Sequence, residues 1–335
     1  MALLKMLREQ KQNPYIELII PVYNEADLIG SFIKKLDEKL QSYTNRYRMI
    51  LIDDGSSDNS ADIIAPLTNQ YPITLVSFSR NFGKEPAITA GLKEASTDAD
   101  FVIIMDSDFQ HPLDIIDQFI EKWHEGYDNI YGVRSRDDQP FFKRLFSSWF
   151  YKINKLIMNI ELPADAGDFR LIDRQVLIAL NALPETNRFM KGLYAWVGFK
   201  GCPVPYQVAP RAGDGKSKWN YRKLFELALT GITSFSDWPL RIWSLIGVII
   251  SLLAFCYGIY VVIDTFFISG VRTPGWATVV AGITFLGGIQ LISIGVVGEY
   301  VARIFNEVKQ RPIYIINQKK SRNLDLKNTD ESDCD

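Results

Sequence analysis

Carboxylates follow several short apolar runs in the first half of the chain. Asp53 and Asp54 come directly after one run, and Asp106 and Asp108 come after another. Because neighbouring carboxylates repel one another, they need a cation or several hydrogen-bond donors to neutralise them. Hard divalent cations, which also accompany diphosphates, take oxygen ligands. The spacing therefore predicts a divalent-cation site at Asp106 and Asp108, close to a site for a phosphorylated ligand.

Two alternatives concern the same residue types. Asp98 and Asp100 have the same spacing, but they precede an apolar run instead of following it. Because ligands of parallel sheets bind at the carboxyl ends of the strands, we interpret this earlier pair as solvated loop carboxylates. For Asp53 and Asp54 alone, a glycine turn followed by a serine helix cap would be a sufficient explanation.

The elements that must position these residues are short β-branched runs alternating with longer amphipathic stretches. This alternation predicts an α/β fold with a mostly parallel, Rossmann-like sheet and helices on both faces. The carboxyl ends of three predicted strands carry segments 21–25, 53–58 and 106–110. We therefore expect these three segments to meet at the ligand edge of the sheet.

Composition excludes several classes of protein. The formal net charge is -2, from 37 basic and 39 acidic residues, so no overall field attracts nucleic acid. Three cysteines and two histidines leave little material for a disulfide framework, a His/Cys zinc site or a Ser-His-Asp triad. Chemistry in this chain must rely on carboxylates, Arg, Lys and backbone groups.

Two long uncharged runs lie late in the chain, at 242–263 and 273–298. A helix of the first run would be about 33 Å long, which matches a bilayer core of about 30 Å. The runs predict a transmembrane hairpin with spans at about 242–263 and 275–298, and buried helices of a soluble protein are the alternative. Glycines in the second span predict self-association into a homo-oligomer.

The flanking charges predict the orientation of this hairpin. Basic residues follow the second span, whereas the loop at about 264–274 offers only Arg272. The positive-inside rule then places both termini in the cytoplasm. The first twelve residues have no long apolar core or cleavage site, so we expect the first 240 residues to remain cytoplasmic.

The strand-end motifs Pro-Val-Tyr-Asn-Glu, Asp-Asp-Gly-Ser-Ser-Asp and Asp-Ser-Asp-Phe-Gln-His-Pro occur in this order along the chain. Together they resemble the family 2 inverting glycosyltransferases, which have the GT-A fold. Further motifs at 79–84, 167–171, 191–193, 217–219 and 298–304 resemble the polyprenyl-phosphate branch of that family. Bactoprenol glucosyltransferases and dolichol-phosphate mannose synthases belong to this branch, and the resemblance covers residues 15–312.

The resemblance implies transfer of a single hexose from a nucleotide sugar to undecaprenyl or polyprenyl phosphate at the cytoplasmic face of the inner (plasma) membrane. UDP-glucose is the expected donor, because segments 167–171 and 298–304 resemble the bactoprenol glucosyltransferases most closely. GDP-mannose, UDP-galactose, a UDP-N-acetylhexosamine and a UDP-aminoarabinose derivative remain alternatives. The lipid-linked sugar would serve cell-envelope or lipopolysaccharide O-antigen glycosylation.

Two other functions compete with this interpretation. A processive polysaccharide synthase normally carries a Gln-x-x-Arg-Trp element and more membrane spans, and this sequence has neither. A non-catalytic nucleotide-sugar-binding membrane scaffold comes from a different class of protein. The presence of Asp106, Asp108 and Asp168 argues against the scaffold.

The resemblance also implies roles for individual residues. The expected nucleotide-binding residues are Pro21, Tyr23, Glu25, Asp53, Lys84 and Asp106. The expected metal ligands for Mg²⁺ or Mn²⁺ are Asp108 and Asp106, and the expected catalytic residues are Asp168, Asp108 and Arg170. The acceptor phosphate carries a charge of about -1.5 to -2 and would be bound by basic residues. These are Arg136, Arg211, Lys216, Ser217 and Lys218. Alternatively, Tyr23 is an ordinary strand-end aromatic residue, and Arg170 pairs with Asp168 or Asp173.

Asp168 raises a point of mechanism. An alcohol acceptor must lose a proton as it attacks, but a phosphate monoester has a second pKa of about 6 and is already mostly ionised. We therefore predict that Asp168 orients the sugar or an arginine and that any role as a base is minor.

The chain divides into four predicted regions. A cytoplasmic GT-A domain covers 1–210, an acceptor loop with a juxtamembrane amphipathic helix covers 211–240, the hairpin covers 241–299 and a cytoplasmic tail covers 300–335. Aromatic and basic residues in 141–160 and 219–241 suit interfacial helices, and burial in the core is the alternative for both stretches.

Overall fold

The computed structural model describes residues 8, 11, 13–134, 166–186, 188–207, 238–263 and 275–324. The strands in this part of the chain are β1 (Ile16–Val22), β2 (Tyr47–Asp53), β3 (Ile73–Ser77), β4 (Phe101–Ile104), β5 (Asn129–Arg134), β6 (Ala166–Asp173) and β7 (Gly201–Tyr206). The helices are α1 (Ala26–Gln41), α2 (Ser60–Leu67), α3 (Lys84–Glu94), α4 (Ile115–His124), α5 (Arg174–Asn181), α6 (Met190–Trp196), α7 (Trp238–Ile263) and α8 (Trp276–Val308).

The strands form one seven-stranded sheet in the order β3-β2-β1-β4-β6-β5-β7. Strands β1 to β4 pair in parallel, and β5 pairs in parallel with β7. Only β6 runs in the opposite direction, antiparallel to both β4 and β5. The predicted α/β fold with a mostly parallel sheet is confirmed. Because β6 is reversed, its first residues, and not its last, lie at the carboxyl edge of the other strands.

Helices cover the sheet on both faces, and each face has its own apolar core. One core packs Phe32 of α1 and Phe119 of α4 against the sheet. The other packs Ile88 of α3 and Leu177 of α5 against the opposite face. Central strands that are buried on both sides read as continuous apolar runs, which is why β1 has the sequence IELIIPV.

Helices α7 and α8 carry many exposed apolar side chains, as expected for a surface that faces lipid. Within the described residues, one segment, Phe285–Val308, is long and apolar enough to cross a membrane, and a shorter apolar segment covers Leu245–Tyr257. Helix α8 continues to Val308, beyond the predicted end of the second span at 298. These features, together with the contact between α7 and α8, indicate association with a membrane.

The segment after α8 does not extend away from the domain. Residues 315–322 return to the sheet and form antiparallel bridges with the edge strand β3, between Leu75 and Arg322 and between Phe78 and Ile316. The predicted cytoplasmic tail therefore begins with a segment that covers the β3 edge of the sheet.

Candidate functional site

The loops after β1 and β2 hold each other in place. Asn24 adopts a left-handed backbone with φ 55°, and its Oδ1 accepts hydrogen bonds from the backbone N–H groups of Ser57 and Asp58. Gly55 also has a positive φ of 62°, and a Cβ added there would lie 2.3 Å from the carbonyl carbon of Arg80. Only glycine fits this close backbone approach. Segments 21–25 and 53–58 thus meet at one edge, as the sequence predicts.

Asp54 organises the next loop, which leads from β3 into α3. Its carboxylate is buried and accepts hydrogen bonds from Asn81 Nδ2 at 3.0 Å, Phe82 N at 2.7 Å and Gly83 N at 2.9 Å. Burial raises the pKa of Asp54, and these donors partly offset that increase. The sequence did not predict this role, which fixes the start of α3 and therefore the position of Lys84.

Lys84 connects two carboxylates that are distant in sequence. Its Nζ lies 2.7 Å from Asp106 Oδ1 and 2.9 Å from Asp168 Oδ2. The register explains the meeting, since Ile104 of β4 pairs with Arg170 of β6, and Asp106 and Asp168 each lie two residues further towards the edge. Burial alone would lower the pKa of Lys84, but the two carboxylates raise it above its ordinary value.

Asp168 is a carboxylate whose pKa is strongly lowered by the basic residues around it. Burial alone would raise its pKa, but Lys84, Lys191 and Arg170 outweigh burial and lower the pKa to about 2. Its Oδ1 is buried and has no hydrogen-bond partner among the described residues. Asp168 is therefore ionised at neutral pH, and one of its oxygens makes no hydrogen bond to the described residues.

Glu85, which the sequence analysis did not single out, lies next to this centre. Its Oε2 accepts a hydrogen bond from Met190 N at 3.0 Å and so connects α3 to the start of α6. Burial raises the pKa of Glu85 to about 7, and the charge of Asp168 adds to this effect. The two carboxyl groups therefore have widely separated pKa values. The position of Glu85 beside Lys84 was the only signal in the sequence.

Arg170, one of the predicted catalytic residues, is only 3% exposed. Its guanidinium donates to Gly167 O at 2.8 Å and lies over the ring of Tyr194, with 3.5 Å from Cζ to the ring centroid. It forms no ion pair with Asp168 or Asp173, since Asp173 pairs with Arg8 at 2.7 Å. This geometry suits a residue that positions the start of β6.

The segment after β4 forms a tight turn. Asp108 Oδ1 accepts from Gln110 N at 3.1 Å, and Phe109 has φ 58°, an uncommon value for a bulky residue. His111 stacks on Phe169 of β6, with 4.5 Å between ring centroids, and its Nδ1 lies 3.4 Å from Asp106 N. The turn is thus fastened to β6, which holds Asp106 beside Asp168.

The predicted nucleotide-binding residues lie at or beside this edge. Tyr23 is 47% exposed, so its ring is available to a ligand. Pro21 and Glu25 are partly buried at the end of β1 and the start of α1. Asp53 is almost fully buried and accepts from Ser56 N at 3.0 Å, so it also shapes the loop.

The predicted acceptor residues lie outside the described residues. They are Arg136, Arg211, Lys216, Ser217 and Lys218. Segment 141–160 also lies outside them, as does 219–237 of the second predicted interfacial stretch. Asp98 is 83% exposed, as expected for a solvated carboxylate, but Asp100 is not. Asp100 Oδ2 accepts from Tyr15 N at 2.8 Å, and its other oxygen pairs with Lys11, because the chain before β1 folds back over it.

A divalent metal ion at this edge would need oxygen ligands from side chains or from a bound substrate. The described residues contain no cluster of three or more His, Cys, Asp or Glu side chains that would enclose a metal ion. Mg²⁺, however, is usually held by one or two carboxylates together with substrate phosphates. Asp106 and Asp108 after β4 therefore suit a divalent cation that arrives with a diphosphate.

Family models match most of the chain. Residues 17–180 match the model described as Glycosyl transferase family 2, and residues 238–304 match the model described as GtrB C-terminal hairpin. The first match covers the sheet except for β7 and the first residue of β1, and it includes the edge that carries Asp53, Asp106 and Asp168. The fold and this match define a glycosyltransferase.

Proteins with similar sequences show to which family of glycosyltransferases this chain belongs. The SfII prophage-derived bactoprenol glucosyl transferase of Shigella flexneri is 44% identical over 310 residues, covering 92% of this chain and 99% of the relative. An uncharacterized glycosyltransferase of Synechocystis sp. is 42% identical over 304 residues, covering 90% of this chain and 94% of the relative. The chain therefore belongs to glycosyl transferase family 2, and the predicted family is confirmed.

One solved structure similar to this chain is a mannosyltransferase, PcManGT from Pyrobaculum calidifontis, in complex with GDP-Man and Mn²⁺. The TM-score is 0.44 and the sequence identity is 16%, with 90% of this chain and 89% of that chain covered.

Proposed function

We propose that this glycosyltransferase moves a single hexose, glucose from UDP-glucose, onto a polyprenyl phosphate, with inversion at the anomeric carbon. The observation that carries the proposal is the bridge from Lys84 to Asp106 and Asp168 at the ligand edge. The ammonium group of Lys84 lies between two carboxylates. Asp106 follows a strand end suited to a diphosphate, and Asp168 has one oxygen, Oδ1, without a hydrogen-bond partner among the described residues. The bactoprenol glucosyl transferases among the relatives support the acceptor and the sugar.

The reaction requires charge stabilisation more than proton transfer. An oxygen of the acceptor phosphate attacks the anomeric carbon, and the bond from that carbon to the diphosphate breaks, with its electron pair leaving on the nucleoside diphosphate. Lys84 is a fixed positive charge beside the position where the new negative charge develops. A preorganised cation of this kind stabilises the transition state more than the ground state.

Asp106 and Asp108 would hold the divalent cation, Mg²⁺ or Mn²⁺, which supplies further charge neutralisation for the leaving diphosphate. Tyr23, Pro21, Glu25 and Asp53 would bind the nucleoside. All of these residues lie at or beside the edge of the sheet reached by Lys84.

Asp168 acts in this proposal as an orienting residue. With a pKa of about 2 it is a weak base, and the acceptor phosphate needs no deprotonation. Its buried Oδ1 has no hydrogen-bond partner among the described residues and would accept a hydrogen bond from a sugar hydroxyl. Arg170 holds the start of β6, and therefore Asp168, in this position.

The return of the chain to the sheet supports the predicted membrane topology. Residues 315–322 follow α8 and contact β3, so the sheet and the chain after α8 would lie on the same side of a bilayer. An even number of crossings satisfies this requirement, as in a multi-pass hairpin with both termini in the cytoplasm. A Cβ added at Gly282, Gly288 or Gly295 of α8 would meet no described residue within 4 Å, which supports packing of this face against a second copy.

The test is direct. The full chain, purified in detergent, is mixed with Mg²⁺ or Mn²⁺, undecaprenyl phosphate and one radiolabelled nucleotide sugar at a time. We expect labelled lipid with UDP-glucose and loss of this product in Lys84→Ala. Product with a different donor would show that the proposed sugar is wrong and would leave the proposed type of reaction intact. Nucleotide-sugar binding without any lipid product would instead indicate a non-catalytic scaffold.

A further inference from the structure

The segment after α8 satisfies the outward-facing backbone groups of β3. Ser79 N donates to Ile315 O at 2.9 Å, and Asn317 N donates to Ser77 O at 2.7 Å. Leu75 and Arg322 exchange two hydrogen bonds, at 3.0 Å and 2.9 Å. The two bridges are three residues apart on the β3 side but six residues apart on the other, because the chain turns between Asn317 and Ser321. The segment therefore covers the β3 edge through two isolated bridges at its ends, and these bridges fix its position relative to β3.

This segment also supports the loop that positions Lys84. The ring of Tyr314 stacks on Phe78, with 4.9 Å between centroids and an angle of 11° between planes. Phe78 in turn contacts Phe82 edge to face at 5.7 Å. Phe82 lies two residues before Lys84, and its backbone N–H donates a hydrogen bond to the Asp54 carboxylate. A chain of direct contacts thus runs from the residues after α8 to the bridging lysine.

A second connection joins the end of α8 to the other side of the site. Glu307, in the last turn of α8, accepts from Thr186 N at 2.8 Å and from Thr186 Oγ1 at 2.6 Å. Thr186 lies in the connection between α5 and α6, and α6 carries Lys191, whose charge helps to lower the pKa of Asp168. Hydrogen bonds to a charged group such as the carboxylate of Glu307 are stronger than those between neutral groups.

We propose that residues 307–323 form a bracket that sets the height of the active site above the membrane. The bracket holds the end of the apolar helix against both flanks of the site, at Thr186 and at Phe78. This inference rests on the proposed function, because the phosphate of a lipid acceptor lies at a fixed depth and must meet the sugar there. Glu307 and Tyr314 are positioning residues in this proposal, and neither contacts the substrate.

The experiment compares single variants of the full chain in lipid nanodiscs that contain undecaprenyl phosphate. The test variants are Glu307→Ala, Thr186→Val and Tyr314→Ala. Tyr314→Phe keeps the stacked ring, and Thr186→Ser keeps the hydroxyl. Lys309→Ala is the matched control on the same helix end, because its side chain lies over Phe305 of α8 itself. Each protein is assayed for lipid glycosylation and for nucleotide affinity by calorimetry, both in nanodiscs and in mixed detergent micelles.

We expect kcat/KM for the lipid acceptor in nanodiscs to fall at least about tenfold in the test variants, since misplacement by about 1 Å can cost a hundredfold. The nucleotide Kd should stay within about twofold in Glu307→Ala and Thr186→Val, which leave the contacts of Phe78 and Phe82 in place. Tyr314→Phe, Thr186→Ser and Lys309→Ala should resemble the parent protein. The defect should shrink in micelles, where the depth of the acceptor is not fixed.

Three results would overturn the bracket: unchanged activity in nanodiscs, an equal loss in nanodiscs and micelles, or a parallel loss of nucleotide affinity. If Tyr314→Ala does not fold, Glu307→Ala and Thr186→Val decide the question, because the first removes the two hydrogen bonds between Glu307 and Thr186 and the second removes one of them. If the parent protein makes no lipid-linked sugar with any donor, the proposed function fails, and that failure is seen before any variant is compared.

Discussion

The Nζ of Lys84 lies 2.9 Å from Oδ2 of Asp168, although Lys84 begins α3 and Asp168 is the third residue of the reversed strand β6. The contact joins the two halves of the sheet at the ligand edge. A single ammonium group therefore neutralises carboxylates from two different strands, and the loss of this group would leave both without their main counter-charge.

The first prediction concerns this ammonium group. Lys84→Ala should lower kcat for lipid glycosylation by about 10²–10³-fold, the usual effect of removing one preorganised charge-stabilising group. Lys84→Arg should retain part of the rate, because the charge remains but its geometry differs. Initial rates at saturating donor provide the measurement. A rate in Lys84→Ala within threefold of the parent would contradict the role.

The second prediction concerns Asp168. Because its pKa is about 2, Asp168 stays ionised at every pH at which the enzyme would be assayed. Asp168→Asn should reduce kcat by about 100-fold through loss of orientation, without changing the shape of the pH profile. Rates from about pH 6 to pH 9 test this. A variant that is inactive at neutral pH and rescued only at high pH would point instead to a catalytic base.

The third prediction concerns the stability contributed by Glu85. Its pKa is about 7 in the folded protein, against 4.5 as the ordinary value, so the folded state binds the proton more tightly. The stabilisation is complete below pH 4.5 and is lost as the pH rises through 7. Between about pH 5 and pH 8 the parent should lose roughly 2 kcal/mol that Glu85→Gln does not lose.

Thermal unfolding midpoints across this pH range measure the effect of Glu85→Gln. Glu38→Gln, at an exposed position of α1, is the matched control and should follow the parent at every pH. Parallel pH curves for the parent and Glu85→Gln would show that Glu85 is ionised like an exposed carboxylate.

The fourth prediction concerns Gly55. A Cβ there would lie 2.3 Å from the backbone of Arg80, and φ is 62°, so Gly55→Ala should cost about 2 kcal/mol or more. Nucleotide affinity should fall as well, since the loop carries Asp53. Gly30→Ala is the control, because its Cβ would meet only Ile63 at 3.9 Å, and it should leave stability unchanged or slightly raised. Equal unfolding midpoints for the two variants would contradict this account.

The fifth prediction concerns the metal. Chelation by EDTA should abolish glycosylation, and Mg²⁺ or Mn²⁺ should restore it. Asp108→Asn should increase the metal concentration required for half-maximal rate by about tenfold or more, whereas Asp98→Asn, at an 83% exposed carboxylate, should not change it. Full activity in excess EDTA would exclude the divalent ion.

Much of the site could be predicted because strand ends are readable from sequence. The apolar runs that end in Asp53 and Asp106 give both the strand and its carboxyl edge, and parallel pairing then brings these ends together. Asp168 was identified by resemblance alone. Its place at the same edge depends on the reversal of β6, which the alternation of strands and helices does not reveal.

Other features could not be predicted because they depend on contacts between distant segments. The buried position of Arg170 follows from its stacking on Tyr194, which is 24 residues further along the chain. Glu307 meets Thr186 across 121 residues, and the pairing of 315–322 with β3 joins segments more than 200 residues apart. A local pattern such as charge or apolar period does not encode such partners.

The reversal of β6 has a consequence for how the chain can vary. Val133 of β5 pairs with Ala166 of β6, so the chain leaves the sheet and re-enters it at the ligand edge on either side of residues 135–165. Because both ends of that connection lie at the same edge, its length can change without a change in the register of β5 against β6.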